Sequence, residues 1–190
     1  MNRYYFFLFI FCFFLLTACQ PSAAPISVSN KPVSINNIPT TNQPLPPIKN
    51  IETMSWTHFE GKKETLNDLK GKVVVLDFWA TYCPPCIEEI PHLVSLQDTR
   101  GAQGLQIIGM HIGGEEDRPK VPAFIEKLKL NNYPIATPED ALTDALMKND
   151  SRIPQTFIFD RNGRFIKGFV GFDKQIKAEM DEAIESALKN

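Results

Sequence analysis

The strongest apolar pattern in the chain is Val73-Val74-Val75-Leu76-Asp77-Phe78-Trp79, seven β-forming positions broken by one carboxylate. A run without alternation predicts a central strand buried on both faces. Leu105 to Met110 and Gln155 to Asp160 read as further strands, and Trp56 to Phe59 starts a short one. Arg161-Asn162-Gly163 predicts a hairpin turn, because Asn-Gly supplies the positive φ such turns need, with Arg164 to Gly171 as the partner strand. The spacing changes between these runs. From about Pro84, Ile87, Ile90, Leu93, Val94 and Leu96 recur near helical intervals, with Pro91 predicting a kink. Residues 120–130 put Phe124, Ile125 and Leu128 on one helical face. Residues 138–148 form a second short amphipathic helix, and Asp173 to Leu188 a final one. Leu66 to Lys72 reads as a helical turn ending at Gly71. The order is β-α-β-α, then a hairpin, then α. It predicts an α/β fold with a mixed central β-sheet flanked by helices.

The pattern before residue 51 belongs to no such fold. Arg3 precedes Tyr4 to Leu16, a thirteen-residue apolar run containing six Phe. That is short of the roughly 20 residues a spanning helix needs, and it suits the apolar region of a signal peptide. It ends in Leu16-Thr17-Ala18-Cys19, which resembles a bacterial lipobox, so residues 1–18 are expected to be removed and Cys19 lipidated. A plain signal peptide or an uncleaved anchor is the alternative. Several acyl chains on one Cys would hold the protein stably at a membrane. Residues 19–50 carry Pro21, Pro25, Pro32, Pro39, Pro44, Pro46 and Pro47 among Ser, Asn and Thr. They are expected to be a disordered, extended tether, with residues 51–190 as the folded domain. Charge is nearly balanced, with 20 basic and 22 acidic residues and no basic block, which excludes a nucleic-acid partner from the expectations.

The cysteine count now narrows the chemistry. With Cys12 in the signal and Cys19 lipidated, Cys83 and Cys86 are the only thiols expected in the mature domain. A loop this short constrains the unfolded chain little, so the pair reads as reactive rather than structural. A Cys-x-x-Cys after a buried strand and at the start of a helix is the thioredoxin-like redox arrangement. Unpaired N–H groups and the positive end of the helix dipole favour a thiolate there. Cys83 is expected to be the exposed nucleophile, and Cys86, one turn on, the thiol that resolves a mixed disulfide. Pro84 and Pro85 suit the first turn but remove two N–H donors, which leaves that of Cys86 and predicts a reducing tendency. A zinc half-site is the competing reading, but it needs two more ligands, and only His58, His92 and His111 are present. His111, at a strand end, has a conceivable copper role or a plain polar one. No metal and no cofactor beyond the cysteine pair is expected.

Asp77 lies nine residues before Cys86. In a dry strand its pKa rises toward 7, which suits proton exchange with a buried thiol; a strand that exposes this face is the alternative. Glu88 and Glu89 fall in the first turns of the helix, where carboxylates also serve the dipole. Ile153-Pro154 before a strand is a place where a cis peptide can occur.

These segments together resemble the TlpA/ResA-like branch of the thioredoxin superfamily. The matching pieces are Leu69-Lys70-Gly71-Lys72, Val75 to Thr81, the Cys pair, Glu89-Ile90-Pro91, Ile153 to Asp160, and Gly163. The resemblance implies a thioredoxin-like fold and a membrane-anchored, extracytoplasmic reductase of protein disulfides, apocytochrome c among them, with electrons from a membrane dithiol donor. It implies Cys83 as attacking thiol, Cys86 as resolving thiol, and Asp77 and Glu89 as acidic residues of the site. It also implies a substrate surface of Trp79, Tyr82, Pro84, Ile153 and Pro154, with Pro154 cis and Ile153 offering backbone to an added strand. Asp77 stands where many members carry Asn, and Tyr82 where Trp is usual. An oxidase or isomerase on the same scaffold, or a redox-inactive metal-delivering module, are the competing functions.

Overall fold

The computed structural model describes residues 49–148 and 150–190. The expected signal peptide, the lipidation at Cys19 and nearly all of the tether lie outside the described residues. Seven strands form one sheet: β1 (Ser55–His58), β2 (Lys63–Thr65), β3 (Val73–Trp79), β4 (Leu105–His111), β5 (Ile135–Pro138), β6 (Gln155–Phe159) and β7 (Phe165–Val170). Their order is β2-β1-β5-β4-β3-β6-β7. β3 pairs parallel with β4 and antiparallel with β6, so the sheet is mixed, as the pattern predicted. Among the described residues, four α-helices accompany it: α1 (Pro84–Arg100), α2 (Val121–Leu128), α3 (Asp140–Met147) and α4 (Lys174–Lys189). α1 runs without interruption through Pro91.

All seven residues of β3 are buried, which is why its sequence does not alternate. Successive side chains still point to opposite faces. Val73, Val75 and Trp79 pack with Cys86, Ile90 and Leu93 of α1 and with Met180 and Ile184 of α4. Val74, Leu76 and Phe78 join Leu66, Leu142 and Leu146 on the other face. Asp77 shares the parity of Val75 and Trp79 and therefore faces α1, beneath the cysteine pair.

Two strands are absent from the sequence reading. β2 is Lys-Glu-Thr, with no apolar residue to mark it. β5 is four residues ending in Pro138, and proline argues against an inner strand. Tertiary pairing overrides both signals, since β5 sits between β1 and β4. The hairpin also differs in detail. Of Asn162 and Gly163, only Gly163 takes a positive φ, 77°. Gly163 N–H donates to Asp160 O and Asp160 N–H to Arg164 O, both at 2.9 Å, a three-residue loop closed by glycine.

Arg161 in that loop ties one pole of the domain together. Its guanidinium donates to Gly71 O at 2.8 Å, Gln103 O at 3.1 Å and Leu188 O at 3.0 Å. One planar fork thus gathers the entry to β3, the entry to β4 and the C-terminus of α4, where a cation also complements the dipole. This pole is about 20 Å, the length of β3, from the cysteine end. Arg161→Ala is expected to lower unfolding free energy by about 1–3 kcal/mol in urea titration while leaving disulfide-exchange rates unchanged.

Candidate active site

β3 delivers the chain to the cysteine pair and α1 receives it. Cys83 N–H donates to Ala80 O at 3.2 Å, which closes the turn after Trp79. Cys83 is the N-cap of α1, with Pro84 and Pro85 in the first two helical positions. Its sulfur accepts the Cys86 N–H at 3.3 Å, the donor that the two prolines leave in place. The two sulfurs are joined in a disulfide, with Cα atoms 5.3 Å apart. Cys83 is less open than expected for a nucleophile, at 4% exposed, yet Cys86 has no exposure at all. Of the two sulfur-bearing residues, Cys83 alone offers surface to a partner.

Two carboxyl groups lie behind the disulfide. Asp77 and Glu89 are both fully buried, whereas the neighbouring Glu88 is exposed. Burial pushes Asp77 well above the ordinary carboxylate range, and a hydrogen bond from the Tyr133 hydroxyl offsets part of that rise. Burial pushes Glu89 up as well; the nearby Asp77 charge adds to the rise, and a 2.6 Å hydrogen bond from Thr156 Oγ1 opposes it. Asp77 Oδ1 and Glu89 Oε2 have no hydrogen-bond partner among the described residues. An unpaired buried oxygen of this kind is far less costly on a protonated carboxyl than on a carboxylate.

A second polar cluster supports the loop in front. Asp117 accepts the Thr81 N–H at 2.8 Å and the Thr81 hydroxyl, with His111 Nε2 at 3.1 Å and Lys120 Nζ at 3.2 Å. Burial opposes its ionisation, but these donors outweigh burial and hold it below the ordinary range. His111 is thus engaged with Asp117, and its ring meets those of Trp79 and Phe59 edge-on. Among the described residues, no three His, Cys, Asp or Glu side chains converge as a metal site.

The substrate-surface residues expected from the sequence divide. Tyr82 is 63% exposed, and Pro84 is exposed beside it. Ile153-Pro154 is a cis peptide at the start of β6, and Ile153 packs against the cluster containing both cysteines. Trp79 is different: it is fully buried, stacked on Phe124 with centroids 4.8 Å apart, so it packs behind the site rather than facing a partner. Sequence reasoning missed Tyr133, Thr156, Thr81 and Asp117. Thr156 had a usable signal, since it lies in the strand after Pro154. The others act through pairings that no local pattern encodes.

The buried carboxyl groups make stability depend on pH. Between the ordinary values of 3.8 and 4.5 and their raised values, the folded protein holds protons that the unfolded chain has lost. Stability therefore falls as pH rises through that window. Unfolding of the oxidised protein, in which neither thiol titrates, is expected to lose on the order of 3 kcal/mol from mildly acidic to alkaline pH. Glu89→Gln is expected to flatten that slope, as read from urea midpoints at several pH values.

The Redoxin family model matches residues 40–184. The thiol-disulfide oxidoreductase ResA of Geobacillus thermodenitrificans is 31% identical over 127 residues, which is 67% of this chain and 70% of the relative. A thioredoxin-family thiol:disulfide interchange protein from Chlorobium tepidum superposes with a TM-score of 0.60 at 29% identity, over 70% of this chain and 92% of its own. StoA from Bacillus subtilis gives 0.51 at 26% identity, over 66% and 94%. With a helix-capping cysteine disulfide on a thioredoxin-like sheet, the chain belongs to the Redoxin family and is a ResA-like thiol-disulfide oxidoreductase.

Proposed function

We propose that this enzyme is a lipid-anchored, extracytoplasmic reductase of protein disulfides. In the reduced enzyme, the Cys83 thiolate attacks a substrate disulfide, forming a mixed disulfide and releasing one substrate thiolate. Cys86 then gives its proton to the carboxyl pair behind it and attacks Cys83 Sγ. The mixed disulfide breaks, the second substrate thiolate leaves, and the Cys83–Cys86 disulfide forms. A membrane dithiol donor restores the enzyme by the reverse exchange. The likeness to ResA-type enzymes supports apocytochrome c as a substrate. Leu16-Thr17-Ala18-Cys19 supports the lipid anchor, and the proline-rich segment to residue 50 supports a tether long enough to reach a membrane-bound partner. Among the described residues, no helix is long and apolar enough to cross a membrane.

The direction of electron flow rests on one observation: the Cys83 sulfur accepts from a single backbone donor, Cys86 N–H. An N-cap side chain ordinarily draws on the second and third helical positions. Here the second is Pro85, which has no N–H to give. A weakly stabilised thiolate leaves the reduced state relatively high in energy, and such an enzyme gives up electrons readily.

The potential, measured by equilibration with a dithiol buffer, is expected near the roughly −270 mV of thioredoxin rather than the roughly −120 mV of a strong oxidant. A value near the latter would make the enzyme an oxidase. Pro85→Ala restores the missing donor and is expected to raise the potential by about 30 mV. Cys86→Ala removes the resolving thiol, so Cys83 is expected to retain its natural substrate as a mixed disulfide identifiable by mass spectrometry. Recovery of no protein adduct would count against a protein substrate.

A further inference from the structure

Tyr133 is a buried phenol, 4% exposed, in the loop before β5. Its hydroxyl donates to Asp77 Oδ2. The sheet is shaped to let it do so. Gly109 lies directly opposite Asp77 in the parallel β3–β4 ladder. A Cβ at Gly109 would come within 2.7 Å of Tyr133 Cζ and Oη. The residues on either side along that face, Ile107 and His111, carry full side chains, so the one gap on β4 stands where the tyrosine ring crosses to reach the carboxyl group. Two groups among the described residues bond to the carboxyl pair: Thr156, from β6 opposite Asp77, donates to Glu89, and Tyr133, from the loop, donates to Asp77. Cys86 lies on α1 three residues before Glu89, and both are buried. Among the described residues, no Lys, Arg or His bonds to either carboxyl group.

We propose that Tyr133 is a positioning residue that assigns different tasks to the two buried carboxyl groups: its hydroxyl holds Asp77 as the carboxylate that takes the Cys86 proton, and Glu89 keeps its own. This rests on the reading that the pair handles that proton. The asymmetry is chemical. Asp77 receives a phenol donor, and a hydrogen bond to the charged form favours that form. Glu89 receives a threonine hydroxyl, a weaker acid than a phenol and so a weaker donor; in other respects the two groups stand alike, each beside the other and each with one oxygen without a partner among the described residues. Two like charges this close do not both ionise readily, so one proton is retained by the pair and it settles on the less supported member. In the resolving step the proton passes from Cys86 S–H to the Asp77 carboxylate as the Cys86–Cys83 bond forms and the substrate thiolate leaves.

Tyr133→Phe removes the donor and keeps the ring. Reduced enzyme mixed with 5,5′-dithiobis(2-nitrobenzoate) releases one thiolate as Cys83 reacts and a second as Cys86 resolves. Followed between about pH 5 and pH 10, the second phase is expected to rise with ionisation of Asp77. In Tyr133→Phe that rise is expected to move about one pH unit higher. In Asp77→Asn the same substitution is expected to move nothing. A profile for Tyr133→Phe that superimposes on the parent, or a shift that persists without Asp77, overturns the proposal. A rise that survives Asp77→Asn alone overturns the proton-acceptor reading itself, and is recognisable without reference to Tyr133. Should Tyr133→Phe fold poorly, infrared spectra of the oxidised parent protein at mildly alkaline pH decide. One buried protonated carboxyl band, lost in Glu89→Gln, is expected. A band that instead disappears in Asp77→Asn overturns the assignment.

Discussion

Keeping two carboxyl groups in a dry interior is the constraint around which this domain is arranged. Asp77 and Glu89 have no exposure, and each keeps an oxygen without a hydrogen-bond partner among the described residues. An isolated carboxylate in such a place is strongly disfavoured. The fold responds with neutral donors rather than with cations: a tyrosine for one, a threonine for the other. A lysine or arginine would have fixed both groups in the ionised form. Hydroxyl donors leave the protonation state open to change, which the proposed proton exchange with Cys86 requires. The same choice explains why β4 carries glycine at position 109, because the tyrosine needs that space.

Asp117 shows the opposite solution only a short distance along the chain. It too is buried, yet it gathers Thr81, His111 and Lys120 and stays charged. Its task is mechanical: the Thr81 N–H and hydroxyl that it holds belong to the loop leading into Cys83. One carboxyl group locked in its charged form steadies the loop; the other two, raised by burial, are the pair proposed to exchange a proton with Cys86. Sequence marks Asp77 by its apolar strand, but nothing local marks Asp117, which lies in the charged stretch from Glu115 to Lys120.

Much of the architecture was legible because the signals were local. The β3 run, apolar at all but one position and without alternation, announced a strand covered on both faces, and Cys83-Pro84-Pro85-Cys86 announced its own place at a helix start. The buried aspartate was legible too, as a polar residue in an apolar run. What escaped was set by pairing across the sheet. β2 and β5 hold their positions through neighbours rather than through composition. Tyr133 reaches Asp77 across 56 positions of sequence, and Asp117 reaches Thr81 across 36. Trp79, which the family resemblance placed on the substrate surface, is turned inward by the parity of β3 and stacks on Phe124 of α2.

The narrow exposure of the disulfide governs how partners share it. Cys86 is sealed, and Cys83 presents a few per cent of its surface beside Tyr82. Every partner that exchanges a disulfide with this enzyme must therefore approach the same sulfur from the same side. Two of them cannot react with it at once. The enzyme works as a turnstile: one partner leaves before the next enters, the electrons rest on the cysteine pair between visits, and the kinetic order is that of alternating half-reactions.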